Sequence, residues 1–216
     1  MKQNVCTVGI DLAKTIFHLV GTDTTGKLVW RKRLTRHALI SFMAQLPPVT
    51  IGMEACGGAH DWARQLRHQG HEVKLMAPQF VKPYVKSNKN DRRDAEAIAE
   101  AVTRPTMRFV PIKDVDQQDI QALHRVRERL IGARTALINE VHGLLQEYGI
   151  MLPKGVAKFR QAVVEKLEAE KDKLTPLSQE MFEKLVEEFA ALEKQLAYTY
   201  CISRRNFRSG IYLRVL

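Results

Sequence analysis

Two hydrophobic periods alternate along the first hundred residues. Val5-Cys6-Thr7-Val8-Gly9-Ile10-Asp11 and Ile16-Phe17-His18-Leu19-Val20-Gly21 are short β-rich runs. The segment between them is too short for a crossover, which predicts a hairpin. Gly26-Lys27 turns into a third strand over 28–34, so three antiparallel strands follow one another. A helix over about 37–46 is stopped by Pro47-Pro48. Val49-Thr50-Ile51-Gly52-Met53-Glu54 is a fourth strand, Gly57-Gly58 open a helix to about His68, and Gly70 leads into a fifth strand over 71–76. After Pro78 the pattern gives a short helix or loop, then a helix from Asp91 with Ala95, Ile98, Ala99 and Val102 on one apolar stripe.

Three meandering strands followed by helix, strand, helix, strand, helix predict an α/β fold of the ribonuclease-H-like kind, a mixed sheet with flanking helices. In that arrangement the first and fourth strands lie side by side, so Asp11 and Glu54 end next to each other. Asp91 and Asp94 share a helix face with Ile98 by their three- and four-residue spacing, and the helix brings them over the same sheet edge. Neighbouring unpaired carboxylates are costly unless they share a proton or hold a cation. Four acids from distant parts of the chain at one point are how a two-metal phosphoryl-transfer site is built, and oxygen ligands without His or Cys suit Mg2+ or Mn2+. Each acid taken alone has a plainer reading: Asp11 as a turn residue, Glu54 as a helix-leading acid, Asp91 as an N-cap and Asp94 as a first-turn acid.

Beyond Val110-Pro111 the period becomes purely helical. Ile120, Leu123, Val126, Leu130, Ala133, Leu137 and Leu144 recur at spacings of three, four and seven, the seam of a long helix that pairs with another, and Gly149 ends it. A charged helix over about 157–173 follows. Pro176 and Ser178 start a last one with Phe182, Leu185, Phe189, Leu192 and Leu196 on one face. The organisation expected is thus a catalytic domain over 1–115, a long helical, coiled-coil arm over 116–198, and an irregular basic tail over 199–216 that reads as a truncated or frame-shifted end.

Charge sharpens this picture. The net charge is +10, yet residues 1–115 hold 18 Lys and Arg against 10 Asp and Glu, while residues 116–198 hold 12 against 14. The basic excess therefore sits with the acid cluster, which favours a polyanion bound to the first domain. Lys14, Lys82, Lys86, Lys89, Arg92 and Arg93 flank the proposed acids, with Phe80 and Tyr84 among them. Phosphate attraction is one use for these cations and a solvated surface the other. The same choice stands for His124, Arg125, Arg127, Arg129 and Arg134 on the long helix. Three cysteines without a Cys-x-x-Cys pair argue against structural zinc and fit a reducing compartment. No signal peptide or bilayer-spanning stretch is evident, so a cytoplasmic protein is expected. Cys56 reads as a packed thiol, not a nucleophile, and Gly57-Gly58 lack the Lys-Ser/Thr of a phosphate loop.

Taken in order, Val-Gly-Ile-Asp11-Leu-Ala-Lys, Gly-Met-Glu54-Ala-Cys-Gly-Gly-Ala-His, Ala-Pro-Gln-Phe-Val-Lys-Pro-Tyr-Val-Lys, Asn-Asp91-Arg-Arg-Asp94-Ala-Glu-Ala-Ile and Thr-Arg-Pro-Thr-Met-Arg-Phe-Val-Pro-Ile resemble the N-terminal domain of the insertion-sequence family 110 transposases and the related 1111 group. The resemblance covers roughly residues 5–150. It implies a RuvC-like nuclease fold with an Asp-Glu-Asp-Asp metal site on Asp11, Glu54, Asp91 and Asp94, and a coiled-coil insertion used in homo-oligomer assembly. It also implies a DNA substrate, nucleoid association when DNA is bound, and guidance by an RNA made from the element. In that family a further C-terminal domain supplies a serine nucleophile. Ser178, Ser203 and Ser209 do not match it, so the chain is expected to stop short of that domain. Arg92-Arg93 stand where the family more often has small residues.

Two other functions compete. Gly9-Ile10-Asp11-Leu12-Ala13-Lys14-Thr15 is similar to the first phosphate loop of actin-like ATPases, but no second loop or second domain of that kind follows. A non-catalytic, self-associating nucleic-acid-binding module derived from a transposase is the reading from a different class.

Overall fold

The computed structural model describes residues 4–85 and 91–208; of residues 91, 92 and 206–208 only the backbone is described. The chain divides into two compact units, the first ending at Asp114 and the second beginning at Val115.

The first unit is a mixed sheet of six strands with helices on its faces. Strands β1 (Thr7–Asp11), β2 (Ile16–Thr22) and β3 (Leu28–Thr35) form the antiparallel meander. Helix α1 (Arg36–Met43), strand β4 (Thr50–Glu54), helix α2 (Ala59–His68) and strand β5 (Glu72–Met76) follow, then the short helix α3 (Pro78–Val81) and helix α4 (Asp91–Ala101). With a last strand β6 (Phe109–Val110), the order is β3-β2-β1-β4-β5-β6, β1 being parallel to β4 and β4 parallel to β5. Strand β6 pairs antiparallel with β5. The sequence pattern does not announce β6, because two residues are too few to display a period.

The alternation of each strand sorts its residues onto two unlike faces. Val8, Ile10, Phe17, Leu19, Ile51, Met53, Val73 and Leu75 all pack with Leu39 and Met43 of α1 and Trp62 and Leu66 of α2 in one buried cluster. Phe17 meets Trp62 edge to face at 5.1 Å. His71 closes this layer. Its Nδ1 accepts from the Val49 N–H at 3.3 Å and its Nε2 lies 3.2 Å from the Met43 carbonyl, so the tautomer protonated on Nε2 satisfies both.

The opposite face is built from small residues. Gly9 and Gly52 are register partners across β1 and β4. A Cβ on Gly9 would stand 2.3 Å from the Ala95 carbonyl oxygen and 2.5 Å from the Ala99 nitrogen, and one on Gly52 would stand 2.9 Å from Val102 Cβ. Helix α4 therefore lies directly on these two strands, and glycine is what permits the approach. Ala95, Ile98, Ala99 and Val102 are buried as their stripe predicts, and Ala97 and Ala101 are buried as well.

The second unit consists of α5 (Val115–Glu147), α6 (Val156–Ala169) and α7 (Pro176–Arg208). Their common core holds Leu137, Val141, Leu145, Phe159, Phe182 and Phe189. On α5 the seam residue Ile120 is buried, the next fully buried position is Leu130, and Val126 between them, assigned to the seam from its spacing, is 43% exposed. Helix α7 also runs further than its sequence suggests. The irregular tail expected from Thr199 is helical through Arg208, because no Gly or Pro interrupts 199–208 and Thr199 is buried with its hydroxyl donating to the Leu196 carbonyl at 2.8 Å. Residues 209–216 lie outside the described residues. Arg134, grouped by sequence with a basic face, instead donates to Glu193 at 2.8 Å, and Arg160 reaches the same carboxylate.

Candidate metal centre

Strands β1 and β4 run parallel with Ile10 opposite Met53, so Asp11 and Glu54 are the next residues on neighbouring strand ends. Both share the parity of Gly9 and Gly52 and so belong to the α4 face. Each is half-buried. Cys56, two residues past Glu54, lies in the field of both. Burial first, then the charges of Glu54 and Asp11, push its thiol above the usual range.

The direction of α4 follows from its contacts. Glu96 pairs with Arg31 at 2.6 Å, and Arg31 is the register partner of Val20, level with Gly9. Glu100 shares a cavity wall with Thr22 and Leu28, toward the Thr7 end of β1. The helix therefore starts near the Asp11 end of the sheet, and Asp91 and Asp94 occupy its first turn. Asp94 is half-buried, while the Asp91 side chain lies outside the described residues. Among the described residues, no three of His, Cys, Asp and Glu stand close enough to hold a metal ion. What the described residues supply is the Asp11–Glu54 pair, with Asp94 on the helix above.

Of the candidate phosphate-binding cations, Lys14, Lys82 and Arg93 are exposed. Lys86, Lys89 and the Arg92 side chain lie outside the described residues. Arg36, which sequence reasoning passed over, stacks its guanidinium on Trp62 at 5.1 Å and Phe17 at 5.4 Å and reaches the Lys14 carbonyl at 3.5 Å. A second feature missed from sequence is a clasp at the end of the unit. His60 Nδ1 accepts from the Lys113 N–H at 3.2 Å, and Arg64 donates to the Lys113 carbonyl at 2.7 Å. Desolvation, then Lys113 and Arg64, hold His60 below its ordinary pKa, consistent with a neutral acceptor.

A family model described as a transposase, the DEDD group of insertion-sequence family 110, matches residues 8–150. The chain belongs to this family. A relative from Coxiella burnetii, the transposase for insertion sequence element IS1111A, is 48% identical over 174 residues, covering 81% of this chain and 48% of its own. A protein of Pseudomonas aeruginosa named as a probable family 20 transposase is 47% identical over 196 residues, covering 90% and 58%. The transposase for IS1328 of Yersinia enterocolitica is 48% identical over 158 residues, covering 73% and 47%. This family 110 chain thus spans about half the length of the curated relatives it matches. Among solved structures, a T. thermophilus RuvC chain in complex with a Holliday junction substrate covers 48% of this chain and 98% of its own, at 12% identity and a TM-score of 0.35. No helix among the described residues is long and apolar enough to cross a membrane.

Proposed function

We propose that this family 110 chain carries the metal-dependent DNA strand-cleavage and strand-transfer site of an insertion-sequence transposase, held by Asp11, Glu54, Asp91 and Asp94. The observation that carries this reading is the pair of acids on neighbouring parallel strand ends, on the one face where α4 starts. The donor set fits the group it would hold. Hard carboxylate oxygens, half-buried side by side on Asp11 and Glu54, suit Mg2+ or Mn2+. A bound ion pair would polarise the scissile phosphate and lower the pKa of the attacking oxygen nucleophile.

The protein's own share is positioning. The sheet register sets the backbone of Asp11 and Glu54, and the contact of Ala95 and Ala99 with Gly9 sets that of the α4 first turn, so what is left for the reacting state is the closing of the acid side chains on the ions. Lys14, Lys82, Lys86, Lys89, Arg92 and Arg93 would neutralise backbone phosphates around the acids. Within the same reading, the chain acts in the cytoplasm on nucleoid DNA, is directed by an RNA of the element, and self-associates through its helical unit.

The test is cleavage and binding of branched and duplex DNA by the full chain with Mn2+ present or withheld. Glu54→Gln and Asp94→Asn should abolish metal-dependent nicking by at least about a hundredfold while salt-sensitive DNA binding persists. Nicking that survives both substitutions, or that proceeds without divalent metal, would remove the acids from the chemistry.

A further inference from the structure

A cavity of about 270 Å3 opens on the same sheet face as the acids, lined among others by Thr22, Leu28, Arg31, Tyr84, Arg93 and Glu96. Its walls combine apolar surface with unspent hydrogen-bonding capacity. The Thr22 hydroxyl is buried without a hydrogen-bond partner among the described residues. Arg31 directs both Nε and Nη2 to the same oxygen of Glu96, Oε1, each at 2.6 Å, which leaves Oε2 as an acceptor. Tyr84 offers a ring face, and the Arg104 guanidinium stands 5.7 Å from its centroid. A largely polar slot with an aromatic residue in its wall and a guanidinium beside a carboxylate matches the needs of a planar heterocycle that both donates and accepts along one edge.

The sheet register links this cavity to the acids. Asp11 is opposite His18 and His18 opposite Arg33; two residues back, Gly9 is opposite Val20 and Val20 opposite Arg31. Arg31 and Arg33 therefore stand on the Asp11 face two strands across the sheet, Arg33 roughly 10 Å from Asp11 and Arg31, two residues further back, roughly 12 Å from it. That separation is one to two nucleotides of an extended strand.

We infer that the cavity seats the base of an unstacked nucleotide next to the cleaved phosphate, with guanine preferred and Arg31 and Arg33 carrying the adjoining backbone. Guanine N1–H and N2–H2 supply the donors that Glu96 Oε2 and the Thr22 hydroxyl can accept, and its O6 can accept from Arg31. The DNA strand is the occupant because the cavity runs along α4 from its Thr22 end to Arg93, next in sequence to Asp94 of the acids read above as the cutting site, and the inference rests on that reading for its neighbour, not for its chemistry.

The test uses the full chain and a single-stranded oligodeoxythymidylate carrying one 6-thioguanine, photo-crosslinked and mapped by mass spectrometry. Crosslinks should fall on Tyr84 or on β2 and β3, and GMP should compete at least about tenfold better than CMP. Glu96→Gln should cut the yield about tenfold, while Thr22→Val, which cannot disturb packing much, should lower the GMP advantage and leave the melting temperature near the parent's. Asp11→Asn should not change the crosslink, so a failure of the cutting-site reading shows as a parent indifferent to Mn2+ whose crosslink is nonetheless intact. Crosslinks scattered over surface lysines, equal competition by GMP and CMP, or an unchanged yield in both wall variants would overturn the inference. A ribo-oligonucleotide of the same sequence that outcompetes the DNA tenfold would overturn it too, by assigning the cavity to an RNA strand.

Discussion

The two faces of one sheet are solved in opposite ways. Toward α1 and α2 the strands present Ile10, Phe17, Leu19, Ile51 and Met53, large side chains that fill a thick layer. Toward α4 they present Gly9 and Gly52, and the helix answers with Ala95 and Ala99. The first face stores apolar burial; the second gives up burial to bring backbone against backbone. What the thin face gains is position. A helix in contact with β1 and β4 has little freedom to slide, so the backbone of its first turn and of the two strand ends keeps a fixed relation.

Gly9 on β1 and the adjacent residues Ile51 and Gly52 on β4 let the contrast be broken one face at a time. Gly9→Ala forces a Cβ into the α4 backbone and should cost about 3 kcal/mol or more. Gly52→Ala meets side-chain atoms of Val102 and Ile98, which can yield, so about 1–3 kcal/mol is expected. Ile51→Val, on the thick face beside it, should cost only about 0.5–1.5 kcal/mol. Chemical denaturation ranks the three, and a Gly9→Ala chain as stable as the parent would mean that α4 is not seated on β1.

A smaller effect probes the acids through Cys56. Asp11→Asn removes one of the charges that push the thiol up, so alkylation of Cys56 at pH 8 should quicken roughly two- to threefold, followed peptide by peptide against Cys6 and Cys201. An unchanged rate would separate Asp11 from Cys56 and hence from Glu54.

The thick face has its own titration, through His60 on α2. Its folded pKa lies below the ordinary value of about 6.5, so as pH falls the unfolded chain takes up the proton first. Its contribution to stability is present above that value and is lost as pH falls from about 6.5 through the folded pKa. His60→Gln should flatten this part of the pH–stability curve by an amount small beside the glycine effects, and a curve that keeps its slope would assign the dependence elsewhere.

The thick face was legible in the sequence because large apolar residues repeat at the strand period, and the adjacency of β1 and β4 followed from element order alone. The thin face was legible only in part. The α4 stripe showed, but Gly9 and Gly52 read as weak strand residues, and nothing local says that they are register partners beneath a helix. The Lys113 clasp was hidden for a related reason: His60 and Arg64 bind backbone groups of one residue far along the chain, which leaves no pattern. Helix α7 outran its reading because an apolar period that fades at 199 is not a helix stop when no breaker follows.

The central claim is that the thin face holds a divalent cation between Asp11, Glu54 and the α4 acids. A thermal melt of the parent, Asp11→Asn and Asp91→Asn over increasing Mn2+ tests it most directly. The account predicts that Mn2+ raises the parent's melting temperature by mass action. The variants should melt above the parent without metal, because carboxylate repulsion is relieved, and should respond much less to Mn2+. A parent indifferent to Mn2+, with variants no more stable than it, would contradict the account and leave the acids as isolated strand-end and helix-start residues.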